Sequence, residues 1–205
     1  NCSDFGTGEA QFDKVEFGSG TVSFNQAKVM NISFIGCHLN SYIDLRFESC
    51  KLLDLRSTIV RDILDVKPEG TLVAIKEMNI ADMRILGRLF VNWRENDVHN
   101  LIYCQQNTNL FQKSEQFRIL KENFRNNGQY EDEDAAYLEF RRCESKANLE
   151  DALLKDKKNA LWAFPMYYFQ KYVFDYVGRY ATAPTRVLSN AILTVFVYGF
   201  IDYFF

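Results

Sequence analysis

The sequence predicts a mainly β plus α chain: a narrow four-sided β-helix, then a helical hairpin, an amphipathic interfacial helix and a transmembrane helix. Three observations predict it. Large apolar residues recur every five positions in the first half, the spacing becomes helical after Gln112, and Val187–Phe205 carries Asp202 as its only charged residue. The expected segments are 1–105 for the β-helix, 106–160 for the hairpin and linker, 161–183 for the interfacial helix and 184–205 for the membrane helix.

In the first segment, Phe12, Phe17 and Val22 are five apart, as are Val29, Phe34 and Leu39 after a slip. Phe47 and Leu52, then Ile59 and Leu64, continue the series, and Ile75, Ile80, Ile85 and Phe90 form its longest run. Neither a helix, at 3.6, nor a strand, at 2.0, has this period. Two positions earlier stand mostly small or apolar residues, such as Ala10, Ala27, Ile32, Cys37 and Cys50. Two inward side chains per five residues suit a narrow solenoid in which four units make one square coil. Each coil buries its face only against the next, so the stack needs capped ends. The expected core is Phe12, Phe17, Phe34, Leu39, Phe47, Leu52, Ile75, Ile80 and Ile85.

The stretches "AQFDKVEF", "ISFIGCHL" and "MNIADMRI" resemble the pentapeptide-repeat family, whose fold is a right-handed quadrilateral β-helix. The resemblance covers about residues 10 to 100. It is degenerate: Met78 and Met83 replace small residues, and "DVKPEGT" at 65–71 breaks the pattern. The acids of this half, among them Glu16, Asp44, Glu48 and Asp54, fall on the outward side and read as a solvated face, as does His38.

From Ser114, read as an N-cap, Phe117, Leu120 and Phe124 make one apolar stripe. Asn126, Asn127 and Gly128 form a helix stop, and Glu131–Asp134 place acid in the first turn of a second helix. The turn "NNGQYEDEDAAYLEF" resembles a single tetratricopeptide-type hairpin. "KANLEDALLKDKKNALWAF" is expected to continue as helix.

The next stretch crowds nine aromatic residues into about twenty positions, with Lys171, Asp175 and Arg179 interleaved as a polar stripe. The expected interfacial residues are Trp162, Tyr167, Tyr168, Lys171, Tyr172, Tyr176, Arg179 and Arg186. Val187–Phe205 would span ~28 Å as a helix, against a hydrocarbon core of ~30 Å. Val187, Leu188, Ile192, Leu193, Phe196, Val197 and Phe200 are its expected lipid-facing residues, and Arg179 and Arg186 put its N-terminal side in the cytosol.

The segment "YVFDYVGRYATAPTRVL" before an apolar helix resembles bacterial pentapeptide-repeat proteins with a C-terminal two-helix, potassium-channel-like pore. The matching elements are Gly178–Tyr180 and Pro184–Leu188. The resemblance implies the cytosolic part and first pore helix of a homo-oligomeric ion channel in a bacterial cytoplasmic membrane, with residues 1–180 cytosolic. The sequence departs from that family in having no T-V-G-Y-G-like filter. The alternative expectation is a membrane-anchored scaffold that takes a protein partner on the β-helix surface.

Other classes fit poorly. A net charge of -3 gives no case for nucleic acid. The five cysteines form no C-x-x-C pair, and the acidic run lacks calcium-loop spacing, so no metal or cofactor is expected. Two unplaced histidines and scattered acids make no catalytic set, so no enzyme is expected. A first residue of Asn1 and no secretory h-region read as part of a longer cytosolic or membrane protein.

Overall fold

The computed structural model describes residues 9–70, 74–155 and 157–204, with backbone alone at 157–160, 198 and 201–204. The chain divides into two compact units, Asn1–Phe140 and Arg141–Phe205.

The first unit is a parallel β-solenoid of about four turns followed by helices. One sheet stacks β1 (Glu9–Gln11), β4 (Lys28–Ser33), β7 (Ser49–Asp54) and β10 (Ile75–Asn79). A second stacks β2 (Glu16–Phe17), β5 (His38–Leu39), β8 (Ile59–Val60) and β11 (Arg84–Ile85). A third stacks β3 (Val22–Ser23), β6 (Ile43–Asp44), β9 (Ile63–Asp65) and β12 (Arg88–Phe90). Register fixes the coil length: Ile32 lies between Ala10 and Leu53, and Leu53 pairs with Met78. Successive coils are therefore 22, 21 and 25 residues long. The long one takes its extra residues in the segment after Val66, where "DVKPEGT" interrupts the repeat.

Inward side chains in the second coil are Val29, Ile32, Phe34, Cys37, Leu39, Ile43 and Leu45, all at most 5% exposed. Steps of three and two alternate, as a five-residue side requires, except for a step of four from Leu39 to Ile43. The third coil repeats the order 21 positions later as Cys50, Leu53, Leu55, Thr58, Val60, Leu64 and Val66. Phe47 is buried but stands outside this series, between Leu45 and Cys50, and that corrects the expected core. Counting fives from Phe47 lands on Leu52, which pairs with Asn31 on the outward register and is half-buried, while Leu53 is fully buried. Ile85 pairs with Val60 on the inward register but is half-buried in the last coil. Phe12 and Phe17 are half-buried in the first coil, where their rings pack against Phe34 at 5.1 and 5.8 Å. Phe34, Leu39, Phe47, Ile75 and Ile80 are buried as expected.

One corner repeats in every coil. Cys37, Thr58 and Met83 each donate a backbone N–H to the carbonyl three residues back. The third residue of each turn, Gly36, Ser57 or Asp82, has φ of +67, +57 or +58°, and Lys14 holds the equivalent place in the first coil at +54°. These are type II turns, which demand a left-handed residue there. Only one of the four is glycine, so the stack tolerates a backbone cost of order 1 kcal/mol at each of the others.

The outward acids are not simply solvated. Asp44 and Asp54 are 4% and 8% exposed because Arg46 and Arg56, two residues on, fold back over them at 2.7 Å. Arg46 also reaches Glu69 at 2.6 Å, and its hydrogen bonds to Asp44 hold that carboxyl below its ordinary pKa.

The last coil is sealed by helices α1 (Val98–Tyr103) and α2 (Leu110–Asn126) and by the first turns of α3 (Tyr130–Lys155). Phe117, Leu120 and Phe124 are fully buried, as the helical stripe predicts. Between them α2 presents side-chain amides that stand in for a further strand. Gln116 Oε1 accepts from Ile80 N–H at 2.9 Å, while Asn123 accepts from Leu89 N–H at 3.1 Å and donates to Leu89 O at 2.9 Å. Gln105 donates to Met78 O, and Gln129 donates to Val91 O at 3.2 Å. The true N-cap of α2 is Asn109, which forms a reciprocal capping box with Gln112. Ser114 lies within the helix and donates to Phe111 O at 2.8 Å. Asn127 and Gly128, at φ +73°, stop α2 as expected.

The second unit continues from the later part of α3 through α4 (Lys157–Phe169), a π-helical stretch Gln170–Val177, a tight turn Arg179–Ala181 and α5 (Pro184–Phe204). The expected single interfacial helix is thus two differently wound pieces and a turn. Among the described residues, no helix is long and apolar enough to cross a membrane. Asp202 and Phe205, which the sequence placed at the far end of a span, have side chains outside the described residues.

Two stability measurements test this architecture. Leu53→Ala should cost about 2–5 kcal/mol and Leu52→Ala about 1 kcal/mol or less, read by chemical denaturation; equal costs would contradict the register. Asn123→Ala leaves the buried Leu89 N–H without its acceptor, while Leu89 O keeps the Asn127 amide at 3.1 Å, and should cost about 1–3 kcal/mol. A loss no greater than that of an exposed helix residue would contradict the amide cap.

Candidate membrane-interface site

The second unit shows an unusual surface. Trp162 is 79% exposed, Tyr168 48%, Tyr172 58% and Tyr176 68%. Lys171, Arg179 and Arg186 are also exposed, and Tyr167 is half-buried with its ring edge-on to Tyr168 at 5.5 Å. Along α5, the expected lipid-facing residues Val187, Leu188, Ile192, Leu193, Phe196, Val197 and Phe200 are all exposed, Phe196 by 72%. Leu161, Met166, Phe169, Phe174 and Val195 join them. Surface on this scale, rimmed by polar groups, marks a site of interaction with membrane or protein.

The winding of 170–177 decides which polar groups share this surface. In a π-helix, hydrogen bonds run from i to i+5, which brings residues five apart onto adjacent turns of the same side. Gln170 and Asp175 are such a pair. Gln170 Oε1 accepts from the Ser145 hydroxyl at 2.9 Å, and Asp175 takes a bidentate pair from Arg142 at 2.9 and 2.8 Å. Ser145 and Arg142 are themselves three apart on α3, so one helix face meets the other through matched spacings. The polar stripe of Lys171, Asp175 and Arg179 expected from α-helical spacing therefore does not form. Asp175 is withdrawn to α3, with a side chain only 18% exposed, while Arg179 stands in the tight turn.

That turn is left-handed. Arg179, Tyr180 and Ala181 have φ of +45, +50 and +68°. It is held by Ala181 N–H donating to Gly178 O at 2.9 Å and by the Thr182 hydroxyl donating to Arg179 O at 2.7 Å. The Tyr180 ring sits between the Arg141 guanidinium, 5.7 Å away, and Phe174, stacked at 6.5 Å. This burial, with Asp175 nearby, pushes the Tyr180 hydroxyl above its ordinary pKa. Asn190 of α5 donates to Val177 O at 3.0 Å, satisfying a carbonyl at the end of the π stretch. Arg186 lies over the Tyr176 ring at 5.3 Å, extending the aromatic belt.

Sequence reasoning missed Arg142, Ser145, Gln170 and Asn190 as parts of this site. Their signal is a pairing of spacings across two helices, which a scan along one helix does not reveal.

On the solenoid, a groove of about 530 Å³ is lined by Gln26, Arg46, Phe47, Glu48, Pro68, Glu69, Gly70 and Ala74. Among the described residues, no group of His, Cys, Asp and Glu is placed to hold a metal ion. Cys37 and Cys50 are buried free thiols, and burial pushes Cys50 up to about 12, far from thiolate chemistry at neutral pH.

The chain matches no family model, no curated protein and no solved structure. The functional reading therefore rests on the residues themselves.

A double-mutant cycle of Arg142→Ala and Asp175→Ala should return a coupling of about 1 kcal/mol in thermal unfolding, as expected of a bidentate but partly exposed pair. Additive effects would contradict the clasp.

Proposed function

We propose that this chain is the cytosolic and membrane-entry region of an oligomeric ion channel of the potassium-channel-like kind. In this reading it sits at a bacterial cytoplasmic membrane with residues 1–180 on the cytosolic side. One observation carries the membrane part: exposed apolar and aromatic side chains run with little interruption from Leu161 to Phe200. Water is a poor solvent for such a surface, at about 25 cal/mol per Å² of apolar area. A bilayer accepts it, with Trp and Tyr at the headgroup level and Val, Leu, Ile and Phe below. In this reading α5 enters the bilayer with Arg179 and Arg186 on the cytosolic side, and its part from Val187 to Phe204, ~27 Å as helix, reaches into the core.

The channel part is supported by the order of segments: solenoid, helices, aromatic belt, then an apolar helix entered through Pro184. The solenoid would act as a stiff assembly or regulatory body, and the filter would come from sequence other than these residues. The solenoid groove favours a second reading, a membrane-anchored scaffold whose partner binds beside Arg46 and Glu69.

Recording from the full-length protein in a planar bilayer separates the two. The channel reading predicts a cation-selective current. No current under any voltage or ionic condition, together with a protein partner whose capture is abolished by Arg46→Glu, would overturn it in favour of the scaffold.

A further inference from the structure

The second unit sorts its charges. Between Leu161 and Phe200 the sequence has three cations, Lys171, Arg179 and Arg186, and one acid, Asp175. The acid is turned inward onto Arg142 through two short hydrogen bonds. The three cations are exposed and, among the described residues, enter no ion pair. The only acid between Leu161 and Phe200 is therefore neutralised internally, which leaves positive charge among exposed aromatic rings. Arg186 is held at the belt by its stack on Tyr176, so its charge stays beside the apolar surface rather than ranging through solvent.

From this arrangement we infer that the surface docks on an anionic bilayer specifically, with Lys171, Arg179 and Arg186 as its headgroup contacts. The inference rests on the membrane reading above and adds lipid selectivity to it. The argument is charge complementarity. A neutral bilayer would satisfy the aromatic and aliphatic side chains but would leave no reason to hide Asp175. A second copy of the chain would bring the same three cations face to face and be repelled. A juxtamembrane cation near an anionic leaflet contributes roughly fivefold in affinity, so three give a preference of order 100-fold at physiological salt. Screening should erode that preference as ionic strength rises.

The test is flotation of the full chain with vesicles of phosphatidylcholine alone and of phosphatidylcholine mixed with phosphatidylglycerol. The expected result is tighter binding to the mixed vesicles by one to two orders of magnitude, with the difference lost at high salt. Lys171→Gln, Arg179→Gln and Arg186→Gln combined should abolish the difference between vesicle types. Lys51→Gln, Lys76→Gln and Arg84→Gln combined, an equal charge change on exposed solenoid positions, should leave it intact. The salt series needs no variant, so a substitution that fails to fold does not block the test.

Equal binding to both vesicle types at low salt would overturn the inference while leaving the membrane reading standing. Binding to neither would overturn both. Release from anionic vesicles by a single-stranded oligonucleotide at matched phosphate would reassign the cations to nucleic acid, and a defined oligomer that ignores vesicles would assign the surface to a second copy. Either would overturn the inference.

Discussion

A solenoid coil ends in a row of backbone N–H and C=O groups that the next coil would have paired. How that edge is closed governs the first unit of this protein. Within the stack the handover is continuous: Phe34 donates to Asp54 O, Leu55 to Asn79 O, and Leu45 to Asp65 O. After the fourth coil no strand follows among the described residues, and Gln116, Asn123, Gln105 and Gln129 supply the missing donors and acceptors. A buried backbone group without such a partner costs about 1–3 kcal/mol, so an uncapped last coil would fray. Helix α2 meets two demands at once: Phe117 and Phe124 fill the apolar axis while amides on the neighbouring face seal the edge. The left-handed corner residues are a cost of the same geometry, since each coil must turn where its neighbour turns.

Much of this was legible in the sequence, and the limits were physical. The five-residue period is a direct consequence of a side that presents two inward residues, so the solenoid was visible from Phe12, Phe34 and Ile80. Its register was not, because one extra residue between Leu39 and Ile43 stretches the coil to 21 and shifts every later count by one. Leu52 and Leu53 look equivalent in a sequence, and only the pairing with Asn31 and Ile32 distinguishes them. Capping amides were invisible for another reason. Asn and Gln on a helix normally face water, and nothing local to Asn123 announces a strand edge opposite it. Asp44 and Asp54 looked solvated because outward position was equated with exposure, whereas a neighbouring arginine two residues on covers each carboxylate.

In the second unit the aromatic belt and the apolar tail were legible from composition alone. The clasp was not. Helical spacing of 3.6 puts Asp175 in line with Lys171 and Arg179, and only the wider π turn pairs it with Gln170 instead. That local change of winding alters the electrostatic meaning of the segment, from a polar stripe of mixed charge to a cationic aromatic face backed by a neutralised acid. The two units thus pose the same problem and answer it differently. The solenoid edge is covered by side chains of its own chain, whereas the exposed surface from Trp162 to Phe200 has no cover among the described residues, and a lipid headgroup layer above hydrocarbon is the cover we propose for it.

The most direct test of that central claim is the depth of one side chain. Trp162 and Trp93 are the only two tryptophans. In a Trp93→Phe background, Trp162 reports alone, and lipids brominated at defined acyl positions quench it according to its depth. The account predicts a blue-shifted emission on adding vesicles and strongest quenching from bromines nearest the headgroups. An emission spectrum unchanged by lipid, with no quenching at any depth, would show that the aromatic face meets something other than a bilayer.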